Sequence, residues 1–136
     1  MEKLTQDFIE KHIDLIDKND FDELFYKCIH EQHVDITDLR YVLEECDIEP
    51  LDYIGYIPMG YFLGDQELIE IILPNHIQSI RADAFHYCDS LEKISLPNTL
   101  YNIGDRSLSH CGSLKYLELP NSLGFIHSNA FEASNI

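Results

Sequence analysis

Three sets of side chains in this sequence have the types and spacing to do chemistry. Cys28, His30 and His33 lie within six residues of one another, and thiolate and imidazole are the ligands a zinc ion selects. His86 close to Cys88, and His110 beside Cys111, pair a thiol with a base, the arrangement that activates a cysteine nucleophile. Asp7, Glu10, Asp14 and Asp17 recur at intervals of three, four and three. On a helix that spacing stacks carboxylates ~5–6 Å apart along one face.

The elements that carry these residues decide among the chemistries. Two helical positions two residues apart point about 200° away from each other, so Cys28 and His30 do not converge on a metal. Cys88 and Cys111 fall at one position of a repeating unit, where a thiol packs as a small apolar group. The sequence holds no phosphate-cradling glycine loop, metalloprotease motif or nucleophile elbow. It therefore predicts no enzyme, no bound metal and no cofactor.

The acidic face is a matter of recognition. Against 25 acids stand 9 bases, a formal charge of -16. Such a surface repels phosphates, which excludes direct binding to nucleic acid or an anionic membrane and favours a protein with a basic surface. Asp20, Asp22 and Glu23 extend the patch begun by Asp7, Glu10, Asp14 and Asp17. The N-terminus lacks the apolar stretch of a secretory signal, so a cytoplasmic protein with Cys28, Cys46, Cys88 and Cys111 as free thiols is expected.

Sequence character changes near residue 53. Residues 1–53 hold 16 acids, 5 bases and no glycine; residues 54–136 hold 9 acids, 4 bases and all six glycines. Three amphipathic helices are predicted in the first part. Leu4, Phe8, Ile9, Ile13 and Ile16 form one stripe. Phe21, Leu24, Phe25, Cys28 and Ile29 form a second, with Asp20 and Glu23 as a capping box. Ile36, Leu39, Val42, Leu43 and Cys46 form a third, capped by Asp35 or Thr37 and ended by Pro50.

The second part repeats itself every 23 residues. Pro74, Pro97 and Pro120 keep that interval, as do Phe62, Phe85, Leu108 and Phe131, and Ile57, Ile80, Ile103 and Ile126. Leu68, Leu91 and Leu114, then Ile71, Ile94 and Leu117, then Leu73, Leu96 and Leu119 follow the same beat. Each unit reads as one coil of a solenoid: a short alternating strand, a proline turn, and a phenylalanine laid across the interior. Coils are expected at 54–76, 77–99 and 100–122, with a partial one at 123–136.

The string Ala84-Phe85-His86-Tyr87-Cys88-Asp89-Ser90-Leu91-Glu92-Lys93-Ile94-Ser95-Leu96-Pro97 resembles the BspA-type leucine-rich repeat, whose consensus runs AFxxCxSLxxIxLPxSLxxIG. The resemblance covers about 80 residues, and phenylalanine, cysteine and proline all fall in register. Departures are Leu108 for phenylalanine, Ser107 for alanine, and Asp65 and Ser134 at the cysteine position. The resemblance implies a non-enzymatic protein, and many members are surface or adhesive proteins. The acidic leader and the Pro50-Leu51-Asp52-Tyr53-Ile54 junction are similar to small intracellular bacterial or phage proteins.

The fold expected is α+β, an acidic three-helix segment (1–53) capping a short leucine-rich solenoid (54–136). Besides the acidic face, the outward strand positions Glu70, Ile72, Lys93, Ser95, Tyr116 and Glu118 form a candidate protein-binding surface. An adjoining ladder would add Tyr56, Ser79, Asn102 and Phe125, with Tyr101 as a further aromatic anchor. The last coil, carrying Phe131 and Ile136, is a candidate homodimer contact. The function these features favour is protein binding, inhibiting or modulating a cellular complex. The alternatives are an acidic nucleic-acid mimic of the anti-CRISPR or anti-restriction type, and an adhesive surface fragment.

Overall fold

The computed structural model describes residues 2–31 and 34–136, with side chains from residue 5 onward. Four helices come first: α1 (Glu2–Lys11), α2 (Ile13–Asp17), α3 (Phe21–His30) and α4 (Ile36–Glu45). The stripe expected to form one helix is thus broken at His12. Its backbone leaves helical geometry, and its buried ring lies against Phe8 with Nδ1 2.9 Å from the Phe8 carbonyl. Phe8, Ile9 and Ile16 stay buried, but the break turns Ile13 outward to 50% exposure. Leu4 of that stripe lies outside the described side chains.

The helix ends show which polar groups do the capping. Asp20 accepts from the Glu23 N–H at the start of α3, but the Glu23 carboxylate reaches Lys27 rather than closing the box. The Asp20 N–H is already bonded to the Leu15 carbonyl, so no donor is left for that role. Asp35 caps α4, accepting from the Thr37 and Asp38 amides. Cys46 follows the helix as its exposed C-cap and is not part of the buried stripe. α3 and α4 pack together, α1 lies on α4 and α2 on α3.

A 3₁₀ turn at Pro50–Asp52 leads into six short strands: β1 (Tyr56–Ile57), β2 (Glu70–Ile72), β3 (Ser79–Ile80), β4 (Lys93–Ser95), β5 (Asn102–Ile103) and β6 (Phe125–Ile126). All pairings are parallel and in 23-residue register. Tyr56 faces Ser79, Ser79 faces Asn102, and Asn102 faces Phe125, which makes a four-stranded sheet β1-β3-β5-β6. The second sheet holds β2 and β4, with Glu70 opposite Lys93 and Ile72 opposite Ser95. Residues 115–119, which follow the strand pattern by sequence, form no strand.

A third ladder joins the turns. Phe62 donates to Ala84, Phe85 to Ser107 and Leu108 to Ala130, each amide bonding a carbonyl 22 residues on. The Cys88 thiol donates to the Phe62 carbonyl at 3.0 Å and the Cys111 thiol to the Phe85 carbonyl at 3.1 Å, while Ser134 repeats the bond to Leu108. Two backbone positions in each of the first three turns are left-handed, Gly60 and Gly64, Asp83 and Tyr87, Arg106 and His110, and one in the last, Ala133. Inside, Phe62 stacks on Phe85 at 5.0 Å, and Ile57, Ile80 and Ile103 are fully buried in line.

Helices and repeats share one core, which runs from Phe8 to Ala130. Polar contacts pin the seam. Asp22 of α3 accepts from the Met59 amide (2.9 Å) and from Arg81 (2.7 Å). Arg81 in turn lies 4.3 Å over the Tyr56 ring, whose hydroxyl donates to the Asn19 carbonyl. Arg40 of α4 donates to Asp65 at 2.8 Å and lies over the Phe62 ring. Gly60 meets α3 so closely that a Cβ there would stand 2.5 Å from Ile29 Cδ1.

Candidate functional site

The carboxylates divide by what they already hold. Asp20 caps α3, Asp22 bonds Met59 and Arg81, and Glu23 pairs with Lys27 at 3.5 Å. Burial pushes the Asp22 carboxyl above its ordinary range, against the pull of the Met59 amide and Arg81. Asp20, Asp22 and Glu23, all expected to meet a partner, are therefore engaged within the chain. Asp7, Glu10, Asp14 and Asp17 remain exposed, but the break at His12 places two on α1 and two on α2 rather than on one continuous helical face.

The repeat surface also divides. Tyr56, Tyr101 and Phe125 belong to the β1-β3-β5-β6 side, whereas Glu70, Ile72, Lys93 and Ser95 sit on β2 and β4. Tyr56 is occupied at the helix seam, and Tyr101 covers Gly124 of the next turn so closely that any Cβ there would overlap its ring. Phe125 is half exposed on β6, edge-on to His127. These residues do not join the other face into a single surface.

The β2-β4 side is where concavities meet. One groove of about 290 Å³ is lined by Lys93 to Leu96 on one bank and by Tyr116, Glu118 and Leu119 on the other. A wider one of about 720 Å³ runs past Glu67, Ile69, Glu70 and Glu92, and a third borders Gly112, Lys115 and Asn135. Tyr116 lines all three. It is 74% exposed and Ile72 is 77% exposed, large apolar surfaces that water solvates poorly. Glu67, Glu70, Glu92 and Glu118 enter no ion pair among the described residues, and nor does Lys93.

Sequence reasoning missed Ile69, Glu67, Glu92 and Leu119 as members of this surface. Leu119 occupies a position that is buried as Leu73 and half-buried as Leu96, yet it is 45% exposed. The cause is the missing strand at 115–119: without pairing to β4, the alternation that would turn Leu119 inward is not enforced.

The thiol–imidazole pairs do not form reactive centres. Cys88 and Cys111 are buried, their thiols donate to backbone carbonyls, and burial pushes them up to about 12 and about 11. At neutral pH such thiols stay protonated and are poor nucleophiles. His86 turns Nδ1 to the Ser109 hydroxyl rather than toward Cys88, and its burial holds the imidazole below its usual value. Cys28 is buried against the Val34 carbonyl and pushed up to about 12, while His30 is exposed beside Tyr26. His33, the third of that set, lies outside the described residues.

With this geometry in hand, the comparisons with known proteins are specific. Residues 55–136 match the family model described as BspA type Leucine rich repeat region, in 6 copies. A leucine-rich repeat protein from Bacteroides ovatus is 32% identical over 60% of this chain, with a TM-score of 0.57. Another, from Eubacterium ventriosum, is 28% identical over 60% of the chain, with a TM-score of 0.56. The match spans only 21% and 22% of those two proteins. No curated protein matches the sequence.

Proposed function

The chain belongs to the BspA-type leucine-rich-repeat family, and from that premise we propose that it is a non-catalytic protein-binding module acting as an inhibitor or modulator of a cellular complex. The family is typically a scaffold for protein interaction rather than catalysis. The observation that carries the proposal is Tyr116, which stands exposed at the meeting point of three grooves on the β2-β4 side. An exposed tyrosine walled by concave surface is the usual anchor of a protein interface.

In this reading the helical segment is a cap on the first of about three and a half coils. Support comes from the shared core and from the Asp22–Arg81 and Arg40–Asp65 bridges. The exposed acids of α1 and α2 steer a basic partner toward the face, raising its encounter rate. The nucleic-acid mimic is less favoured, because Asp20, Asp22 and Glu23 are engaged internally and His12 interrupts the acidic row. Self-association through the last coil rests on Ile136 and Phe125, both half exposed; Phe131 is packed against the core.

The test is affinity capture from lysate at low and high salt with three baits: the native chain, Tyr116→Ala, and a charge reversal of Asp7, Glu10, Asp14 and Asp17. A partner that persists at high salt and is lost only with Tyr116→Ala is the expected result. A partner lost only with the charge reversal would instead place the contact on the helices.

A further inference from the structure

The β2-β4 side differs from the rest of the solenoid in its backbone as well as its side chains. Elsewhere the coils are stitched by amide–carbonyl bonds at every level, including β5 to β6 and the turns at Leu108 and His110. Among the described residues, the backbone of residues 115–119 makes no hydrogen bond. Five consecutive residues thus present unpaired amides and carbonyls at the surface, the template onto which an extended chain adds as a strand.

The side chains beside that template define what would fit. Glu118 stands within it, and Glu92, Glu70 and Glu67 line the adjoining groove, all four in no ion pair among the described residues. Only Lys93 and Lys115 offset them, so the site is net negative. Ile69, Ile72, Tyr116 and Leu119 supply exposed apolar surface between the carboxylates. A strand places alternate side chains on one face, so lysines or arginines at alternate positions all turn toward the carboxylates, and their methylene stems lie over the apolar surface between. By contrast, the acids at the helix seam are already neutralised by Arg40 and Arg81 and attract nothing further.

We infer that residues 115–119 and the adjoining groove bind an extended segment of a partner protein that carries lysine or arginine at alternate positions. This rests on the reading of the β2-β4 side as the binding face and names the class of segment it accepts. Backbone pairing supplies the affinity, and the four glutamates reject acidic segments by like-charge repulsion.

The experiment uses the full chain and three labelled decapeptides: alternating lysine and valine, alternating glutamate and valine, and the lysine peptide with its alternate amides N-methylated. Fluorescence anisotropy should show saturable binding of the lysine peptide only. N-methylation should weaken it at least tenfold, as should Glu92→Lys combined with Glu118→Lys, with the unfolding midpoint of that variant unchanged. Equal binding of the glutamate peptide, indifference to N-methylation, or binding of none of the three overturns the inference. If the peptides fail while Tyr116→Ala still strips a captured partner, the face stands and its preference for a basic strand falls. If Tyr116→Ala has no effect either, both readings fall.

Discussion

Residues 54–76 and residues 100–122 follow one 23-residue pattern and meet opposite surroundings. In the first stretch the left-handed positions are Gly60 and Gly64, the cysteine position is Asp65, and both strands are paired. α3 and α4 press on this stretch, Ile29 filling the space above Gly60 and Arg40 taking the Asp65 carboxylate. In the second stretch the cysteine is restored as Cys111, but the strand at 115–119 is missing and Tyr116 and Leu119 stand in water. A repeat position therefore takes its role from what stacks against it. The departures from pattern in 54–76 are docking devices, and those in 100–122 open a surface.

The largest effect that would break this contrast is at Gly60. Its φ of +66° and the Ile29 contact both oppose a side chain, so Gly60→Ala should destabilise by about 2–4 kcal/mol in urea unfolding. Gly64→Ala shares the left-handed backbone but meets nothing within 4 Å, so about 1 kcal/mol is expected. Equal costs at the two sites would show that α3 does not press on the first coil as described.

Next comes the Arg40–Asp65 bridge, whose side chains are each less than one-fifth exposed. Arg40→Ala strands a largely buried carboxylate and should cost about 2–3 kcal/mol, whereas Lys93→Ala on the open face should fall within about 0.5 kcal/mol. A similar small effect at both positions would erase the distinction between seam and groove.

The smallest effect sharpens the account of the turns. Burial favours neutral His86 in the folded chain, lowering it from an ordinary value of 6.5. The unfolded chain then binds more protons as pH drops through 6.5, so this contribution is present above that pH and is lost as pH falls through the folded value. Unfolding free energy measured from pH 7.5 to 5 should decline less steeply in His86→Asn than in the native chain. Parallel curves would remove His86 from the pH response.

Much of the repeat was legible because a solenoid makes one environment recur. Ile57, Ile80 and Ile103, Phe85, Leu91, Cys88 and Cys111 are all buried at positions their spacing marked. What spacing does not carry is how a position differs from its copies. Asp22 reads as one more surface acid until α3 brings it to Met59 and Arg81. His12 lies outside the apolar stripe and went unmarked, but its backbone leaves helical geometry and α1 ends there. The left-handed turns are concealed because Asp83, Tyr87, Arg106 and His110 occupy sites where glycine would have announced them. Of the candidate surface, Glu70, Ile72, Lys93, Tyr116 and Glu118 were readable from strand alternation. Leu119 was not, since its exposure follows from a strand that does not form, and neither were Glu67, Ile69 and Glu92, which lie ahead of β2 and β4, outside the alternating strand positions.

One comparison bears most directly on the β2-β4 side as the binding face: the affinity of a captured partner for the native chain and for Tyr116→Ala, measured by titration calorimetry, with urea unfolding of both. Tyr116 is held by little within its own chain, so the unfolding free energy should change by no more than about 0.5 kcal/mol. The affinity should fall at least tenfold, as loss of a central aromatic anchor does. An unchanged affinity for Tyr116→Ala would contradict the assignment of this face.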